Sequence, residues 1–352
     1  MRRPTLLALS SLLSSSLVAC VAPVGGNDSD RTPVDPDNKS ACASKPASSV
    51  KSVTDDVTIR TAADWDDLPD GCWDLKGKLT LQGDAVTSIA TLDKLVAVDE
   101  LEIVDTKLTT LDAPIYVYES VSITGNAQLT SLDDLVIDQD IGVDIEIDDN
   151  AALTGLGGIA DLEKLSGDLT ITRNAKLPAL ELRKLAEITG STRIANNTAL
   201  ASIDLGKLET LARFEVLDNA ALTSIGSLPA REITGDVTIR GNAKLTTLGT
   251  MSSLERISGA LTIDNNAALA TIGMFTTSMR YVSTVLTISN NPQLTSLGQV
   301  AHLQAIGGVT VTSNTKLPFC AAQEINHCVP SHGTVTIANN NNATMTCTCW
   351  CE

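Results

Sequence analysis

One pattern governs this chain: apolar, any, apolar, two of any, Asn, two of any, Leu, two of any, apolar. Nine segments carry it. Leu169-Thr170-Ile171 leads to Asn174, Leu177 and Leu180, and Val237-Thr238-Ile239 leads to Asn242, Leu245 and Leu248. Leu261-Thr262-Ile263 likewise leads to Asn266, Leu269 and Ile272. The asparagines stand at Asn126, Asn150, Asn174, Asn197, Asn219, Asn242, Asn266, Asn291 and Asn314, at intervals of 24, 24, 23, 22, 23, 24, 25 and 23 residues. A fixed period of this size marks a repeat architecture. Degenerate copies precede the nine at Leu79-Thr80-Leu81 and Leu101-Glu102-Ile103, and Val57-Thr58-Ile59 reads as an earlier one. Val335-Thr336-Ile337 with Asn340 follows them.

The alternation in Leu-Thr-Ile is that of a short strand, with two side chains inward and the middle one outward. The Asn after it suits a turn, because it tolerates left-handed backbone and bonds nearby amides. Stacked from coil to coil, the nine asparagines are expected to form a structural ladder that satisfies backbone groups at the bend. A second apolar set follows at three-residue steps, as in Leu182, Leu185 and Ile188, or Met251, Leu254 and Ile257. That step fits a single helical turn or a second bent strand, often closing at a glycine such as Gly190, Gly259 or Gly308. No copy can bury its own apolar edge, so neighbours must cover it. The expected fold is mainly β, a parallel β-helix of about 11–12 coils, making a rod on the order of 55–60 Å at ~4.8 Å per rung.

Composition agrees with such a core. Of 352 residues, 43% are apolar and only 3% aromatic, so the core is aliphatic and holds too few rings for a base-stacking platform or an aromatic-lined sugar cleft. The 42 Asp and Glu against 25 Lys and Arg give a net charge of -17, which repels phosphate backbones and excludes nucleic acid as a partner.

The segments Ile233-Thr234-Gly235-Asp236-Val237-Thr238-Ile239 and Ile257-Ser258-Gly259-Ala260-Leu261-Thr262-Ile263 resemble the core motif of receptor L-domains. That family folds as a right-handed, leucine-rich β-helix, so the resemblance implies a right-handed solenoid. The chain is also similar to leucine-rich repeats. Those place a Leu two positions after the Asn, whereas here it stands three after in all nine copies, which favours the L-domain type. L-domains of growth-factor receptors bind protein ligands, a role that does not transfer by motif.

Met1-Arg2-Arg3 and the short apolar run Leu6 to Leu17 read as a signal peptide, too short to span a bilayer. It ends in Leu17-Val18-Ala19-Cys20, which resembles the lipobox of bacterial lipoproteins. The resemblance implies cleavage before Cys20 and lipidation of its thiol, and hence an anchor in the membrane of a bacterial cell envelope. By resemblance to enterobacterial lipoprotein sorting, Val21 in place of Asp implies the outer membrane, on its periplasmic or surface face. The mature chain would keep 23 basic and 42 acidic residues, a charge of -19. The expected organisation is residues 1–19 signal peptide, 20–50 polar tether, 51–78 N-terminal cap, 79–319 repeat solenoid and 320–352 Cys-rich C-terminal cap.

Besides Cys20, the cysteines are Cys42, Cys72, Cys320, Cys328, Cys347, Cys349 and Cys351, and none falls inside the repeat array. They stand where a solenoid's open ends need covers, so disulfide-bearing caps are expected in an oxidising envelope. Cys42 and Cys72 flank the start. Cys320 takes the position of Leu180 or Leu248 in its own coil, so its side chain is expected in the core, with Cys328 or one of the terminal three as partner. A zinc or copper(I) site drawn from Cys320, His327, Cys328, His332 and the terminal cysteines is the competing reading, but the spacing lacks paired Cys-x-x-Cys knuckles. His302 reads as a surface residue.

The densest acidic run is Asp144-Ile145-Glu146-Ile147-Asp148-Asp149. Alternation sets Asp144, Glu146 and Asp148 on one outward face, after Asp138 and Asp140. It is a candidate acidic surface whose oxygens suit calcium, otherwise a solvated face that keeps the sheet soluble. Arg193 and Glu215, one rung apart, are expected to pair. Thr238, Thr262, Thr287, Thr310 and Thr336 form an outward ladder that β-propensity explains. No phosphate loop, dinucleotide fingerprint or helical zinc motif occurs, so no catalytic residue and no cofactor is assigned. The chain is thus expected to be an envelope lipoprotein whose solenoid is a non-catalytic binding or structural surface for protein or polysaccharide. The alternative is a glycan-active β-helix enzyme, lyase or hydrolase, using the acidic face around Glu146.

Overall fold

The computed structural model describes residue 42 and residues 45–137, 144–274 and 276–341. The lipidation position Cys20, the terminal Cys347, Cys349 and Cys351, and Asp138 and Asp140 lie outside the described residues.

The repeat becomes a rung. Leu169-Thr170-Ile171 pairs in parallel with Ile145-Glu146-Ile147 on one side and Thr192-Arg193-Ile194 on the other, with the outward residues aligned. The same register continues in both directions. It runs back to Val57–Ile59, which pairs with Leu79-Thr80-Leu81, and forward to Val335–Ala338, which pairs with Val309-Thr310-Val311-Thr312. Thirteen in-register rungs result, and they belong to one parallel sheet of 19 strands. The chain is a parallel β-solenoid, as its period requires. Both outlying copies, at 57–59 and 335–337, are rungs in register.

The second apolar set begins as a single turn, closed in the middle coils by bonds such as Leu185 N–H to the Leu182 carbonyl at 3.2 Å and Leu254 N–H to the Met251 carbonyl at 3.2 Å. Ala90–Lys94, Gly157–Asp161 and Val300–His302 are 3-10 turns that bury Leu92, Ile159 and Val300. The extended stretch in the middle coils lies just before this set. Ala179–Glu181 pairs with Ser202–Asp204, and single bridges then run Ser202, Ser224, Thr247, Thr271, Ser296. Leu, Ile and Val from both sides fill the core, in which Trp73 and Phe214 are the largest fully buried side chains. The inward column through Leu169 and Phe214 has one polar member, Thr192, whose hydroxyl is buried without a hydrogen-bond partner.

All nine ladder asparagines are fully buried, and Asn340 extends the series at 6% exposure. Each Oδ1 accepts the backbone N–H of the Asn one rung earlier, at 2.9–3.1 Å from Asn126 to Asn340. Each Nδ2 donates to the carbonyl of the preceding rung's inward Ile or Val, as Asn174 does to Ile147 at 2.8 Å and Asn242 to Val216 at 2.9 Å. The ladder starts where Thr106 gives both its N–H and its hydroxyl to Asn126 Oδ1. The left-handed residue of the bend is not the Asn, however. It is the residue before it: Asp105, Gly125, Asp149, Arg173, Asn196, Asp218, Gly241, Asn265, Asn290, Ser313 and Asn339 all have φ between 52° and 72°. The preceding residue takes the strained geometry, and the Asn uses its amide to bridge coils.

At the N-terminal end a 3-10 turn, Ala62–Asp67, packs Trp65 and Leu68 against the first rungs. Asp64 accepts the N–H groups of Arg60 at 2.6 Å and Thr61 at 2.7 Å. Those bonds hold its carboxyl below the ordinary value. Cys42 and Cys72 form a disulfide with Cα atoms 5.7 Å apart. At the other end Phe319–Cys328 is an α-helix that buries Ala322 and Ile325. Cys320 therefore does not point into the core as its place in the repeat predicts. Pro318 ends the bend, the chain turns helical, and Cys320 lies half-buried in the first turn while Ala322 and Ile325 fill the core. Cys320 and Cys328 are both disulfide-bonded. Eight helical positions separate them by ~12 Å, beyond the reach of one disulfide, so they are not partners of each other.

Candidate functional site: the outward face of the sheet

The middle residue of every rung points out of the core, giving the column Thr58, Thr80, Glu102, Ser122, Glu146, Thr170, Arg193, Glu215, Thr238, Thr262, Thr287, Thr310 and Thr336. Neighbours along the column bond to each other. Thr80 donates to Glu102 at 3.1 Å, and Ser122 to Glu146 at 3.1 Å. Arg193 pairs with Glu215 at 2.6 Å as expected, and Arg213 adds contacts to Glu215 at 3.8 Å and Asp236 at 3.0 Å. Exposed pairs of this kind contribute little to stability one by one. Their effect is to neutralise like charges stacked at rung spacing.

The acidic run divides into separate tasks. Asp144 Oδ1 accepts the N–H of Asp168 at 2.7 Å. Glu146 is exposed and holds Ser122. Asp148 is only 5% exposed, because Thr172 donates to one carboxylate oxygen and Arg173 to the other. The shared outward face of three free carboxylates thus reduces to Asp144 and Glu146, with Asp148 covered by the next coil. No group of three or more His, Cys, Asp or Glu side chains converges on a common point among the described residues.

Sequence reasoning missed a second use of aspartate. Asp56, Asp144, Asp168 and Asp236 stand at the start of the outward face and each takes a backbone N–H of the next coil: Lys78 at 2.9 Å, Asp168 at 2.7 Å, Ser191 at 2.6 Å and Ala260 at 2.8 Å. The device needs room beside it. A Cβ at Gly259 would stand 2.4 Å from Asp236 Oδ1, so glycine is required there. The Gly-Asp pairs in Gly167-Asp168 and Gly235-Asp236 were the readable signal.

Three of the candidate metal ligands near the C-terminal end have protein partners. Cys320 and Cys328 are disulfide-bonded, and His332 sets Nδ1 3.1 Å from the Gly333 carbonyl and Nε2 3.2 Å from the Asn326 carbonyl. His302 sits on the 3-10 turn Val300–His302.

Charge is distributed unevenly along the rod. Residues 45–230 hold 15 Lys and Arg against 32 Asp and Glu, while residues 231–341 hold six against five. The acidity therefore belongs to the earlier coils. The later outward face is nearly neutral, with Ala260, Val285 and Gly308 in the column where Asp144, Asp168 and Asp236 stand earlier.

No family model, curated protein or solved structure matches this chain. The fold itself defines the class, a parallel β-solenoid of stacked two-dozen-residue coils.

Proposed function

We propose that the chain is a lipid-anchored protein of a bacterial cell envelope, held through Cys20, whose solenoid serves as a non-catalytic binding or structural surface for protein or polysaccharide. The observation that supports this reading is the outward face. Thirteen rungs present a long, regular surface on which the acidic side chains are tied to hydroxyls, amides and guanidinium groups of adjacent coils. A paired general acid and base needs two carboxylates held across a cleft. Glu146, engaged by Ser122 on an open face, lacks that setting.

Crosslinking on intact cells, followed by identification of what is captured, tests the binding role. Reproducible capture of one protein or glycan partner supports it, and capture of none beyond a sheet-face-scrambled control overturns it. Cys20→Ala should release the protein from the membrane fraction into the soluble one, and unchanged retention would mean that the anchor lies elsewhere. Screening polysaccharides for new reducing ends or unsaturated products addresses the enzyme alternative. An activity abolished by Glu146→Gln would replace the binding reading.

A further inference from the structure

We infer that a notch beside the later, near-neutral part of the sheet is a subsite for a carboxylate-bearing sugar unit, the kind of unit an acidic polysaccharide repeats. The inference rests on the binding role proposed above and specifies its ligand. In consecutive rungs Arg256, Tyr281, Ala305 and Ser331 occupy equivalent positions. The small Ala305 between Tyr281 and Ser331 leaves a gap in the column. Around it lies a depression of about 290 Å³ whose lining includes Arg256, Tyr281, Ser283, Ala305, Gly307 and Ser331.

The floor of the notch is bare for a structural reason. A Cβ at Gly307 would stand 2.0 Å from the Thr284 carbonyl oxygen, so close stacking of the coils excludes any side chain there. The volume lies at the lower end for small-ligand clefts and suits a single sugar ring.

The walls have the required chemistry. The guanidinium of Arg256 sits 5.2 Å from the centre of the Tyr281 ring, on the side of the preceding rung, which leaves the other ring face toward Ala305 and the notch. Tyr281 donates its hydroxyl to Gln304 at 2.5 Å, which fixes the ring. A pyranose offers what these groups match: a flat C–H face for the single tyrosine, and hydroxyls for Ser283 and Ser331. Arg256 makes no ion pair with any carboxylate of this acidic chain among the described residues, unlike Arg173, Arg183, Arg193, Arg213 and Arg231. An unpaired guanidinium at a rim selects a ligand carboxylate, which it binds as a fork.

Long-range repulsion does not forbid this. The nearest carboxylates are engaged: Glu232, one rung back from Arg256, accepts the Ser258 hydroxyl at 2.6 Å, and Glu255 pairs with Arg231 at 3.3 Å. Glu215 lies four rungs from Ala305, ~19 Å at strand spacing, and the Debye length at physiological salt is about 8 Å.

The test is titration of the purified full-length protein, by calorimetry and by chemical-shift changes, with a uronic-acid tetrasaccharide and with a neutral tetrasaccharide of the same linkage. The uronate should bind at least about tenfold more tightly, and binding should weaken about tenfold in Arg256→Gln and in Ala305→Leu, which fills the gap. Arg256 is exposed, so its variant tests the idea even if Ala305→Leu fails to fold. Equal binding of both sugars, binding of neither, or full binding by Arg256→Gln would each overturn the inference. A partner captured on intact cells despite such a result would leave the broader binding role standing and remove only this ligand.

Discussion

Thr192 stands in a column otherwise built of Leu, Val, Ile and Phe, between Leu169 and Phe214. Its hydroxyl is buried with no partner, and an unsatisfied buried polar group costs about 1–3 kcal/mol. Valine has the same shape without the hydroxyl. Thr192→Val should therefore stabilise the protein by about 1–2 kcal/mol, read as a shift in the urea midpoint at constant m-value. A second single-residue test concerns Glu324 on the C-terminal helix. Burial pushes its carboxyl above the ordinary value, so the folded chain keeps a proton that the unfolded chain has lost. Its contribution to stability is full below the ordinary carboxylate value and is lost as pH rises through the raised one. Glu324→Gln should accordingly melt higher than the parent at pH 7, with the difference shrinking toward pH 4 in thermal scans. At this scale the inward and outward alternation was legible in residues such as Leu169-Thr170-Ile171, because strand geometry allows little else. The left-handed position was not assigned correctly. Asn fits that geometry and draws attention to itself, yet the residue before it carries the strain, and nine of those eleven residues are Asp, Asn or Gly. Arg173 and Ser313 break the pattern and hide it.

Each bend is a shared element, because its hydrogen bonds run between coils. Asn219 accepts the N–H of Asn197 at 3.0 Å and donates to the Ile194 carbonyl at 2.9 Å, while its own N–H goes to Asn242. Removing its amide orphans a buried N–H and a buried carbonyl together. Asn219→Ala should cost about 3 kcal/mol or more by the usual penalties for buried unsatisfied groups. Asn340→Ala, at the last described rung and already 6% exposed, should cost clearly less. Denaturant titration of the two variants compares them, and equal losses would mean that the ladder is not what holds the bends. The nine-fold spacing made the ladder itself legible. The C-terminal helix was not legible, because Asn314 and Leu317 continue the pattern up to Pro318. The helix is an insertion within the coil rather than the end of the array, because strand pairing resumes at Ser331 and Val335.

Along the whole molecule each coil contacts its neighbours and little else, so stability is close to a sum of coil and interface contributions. Deleting residues 237–260, one 24-residue period, joins Asp236 to Leu261 and keeps every following rung in register. The shortened protein should stay folded and parallel-stranded by circular dichroism and lose ~4.8 Å of length by small-angle scattering. Deleting half that stretch should abolish cooperative unfolding, because the remaining half-coil cannot cover the apolar edges of the coils on either side. Overall architecture was readable because a period so regular admits one way to bury its apolar edges. The Tyr281 notch was not. It depends on a gap left by Ala305 between two rungs, and a gap is visible only when the rungs are stacked.

The Cys42–Cys72 bond also decides how the molecule answers a mechanical load. Tension entering ahead of Cys42 crosses the sulfur bridge directly to Cys72, bypassing residues 43–71 and the first rung, Val57–Ile59, that they contain. The next segment to feel the pull is Trp73–Gln82, a ten-residue strand paired with both Leu95–Val104 and the first rungs. A solenoid drawn from a free end peels one coil at a time. With the bridge intact, peeling must begin at one of the longest strands in the sheet, and reducing agent would hand the load to one of the shortest.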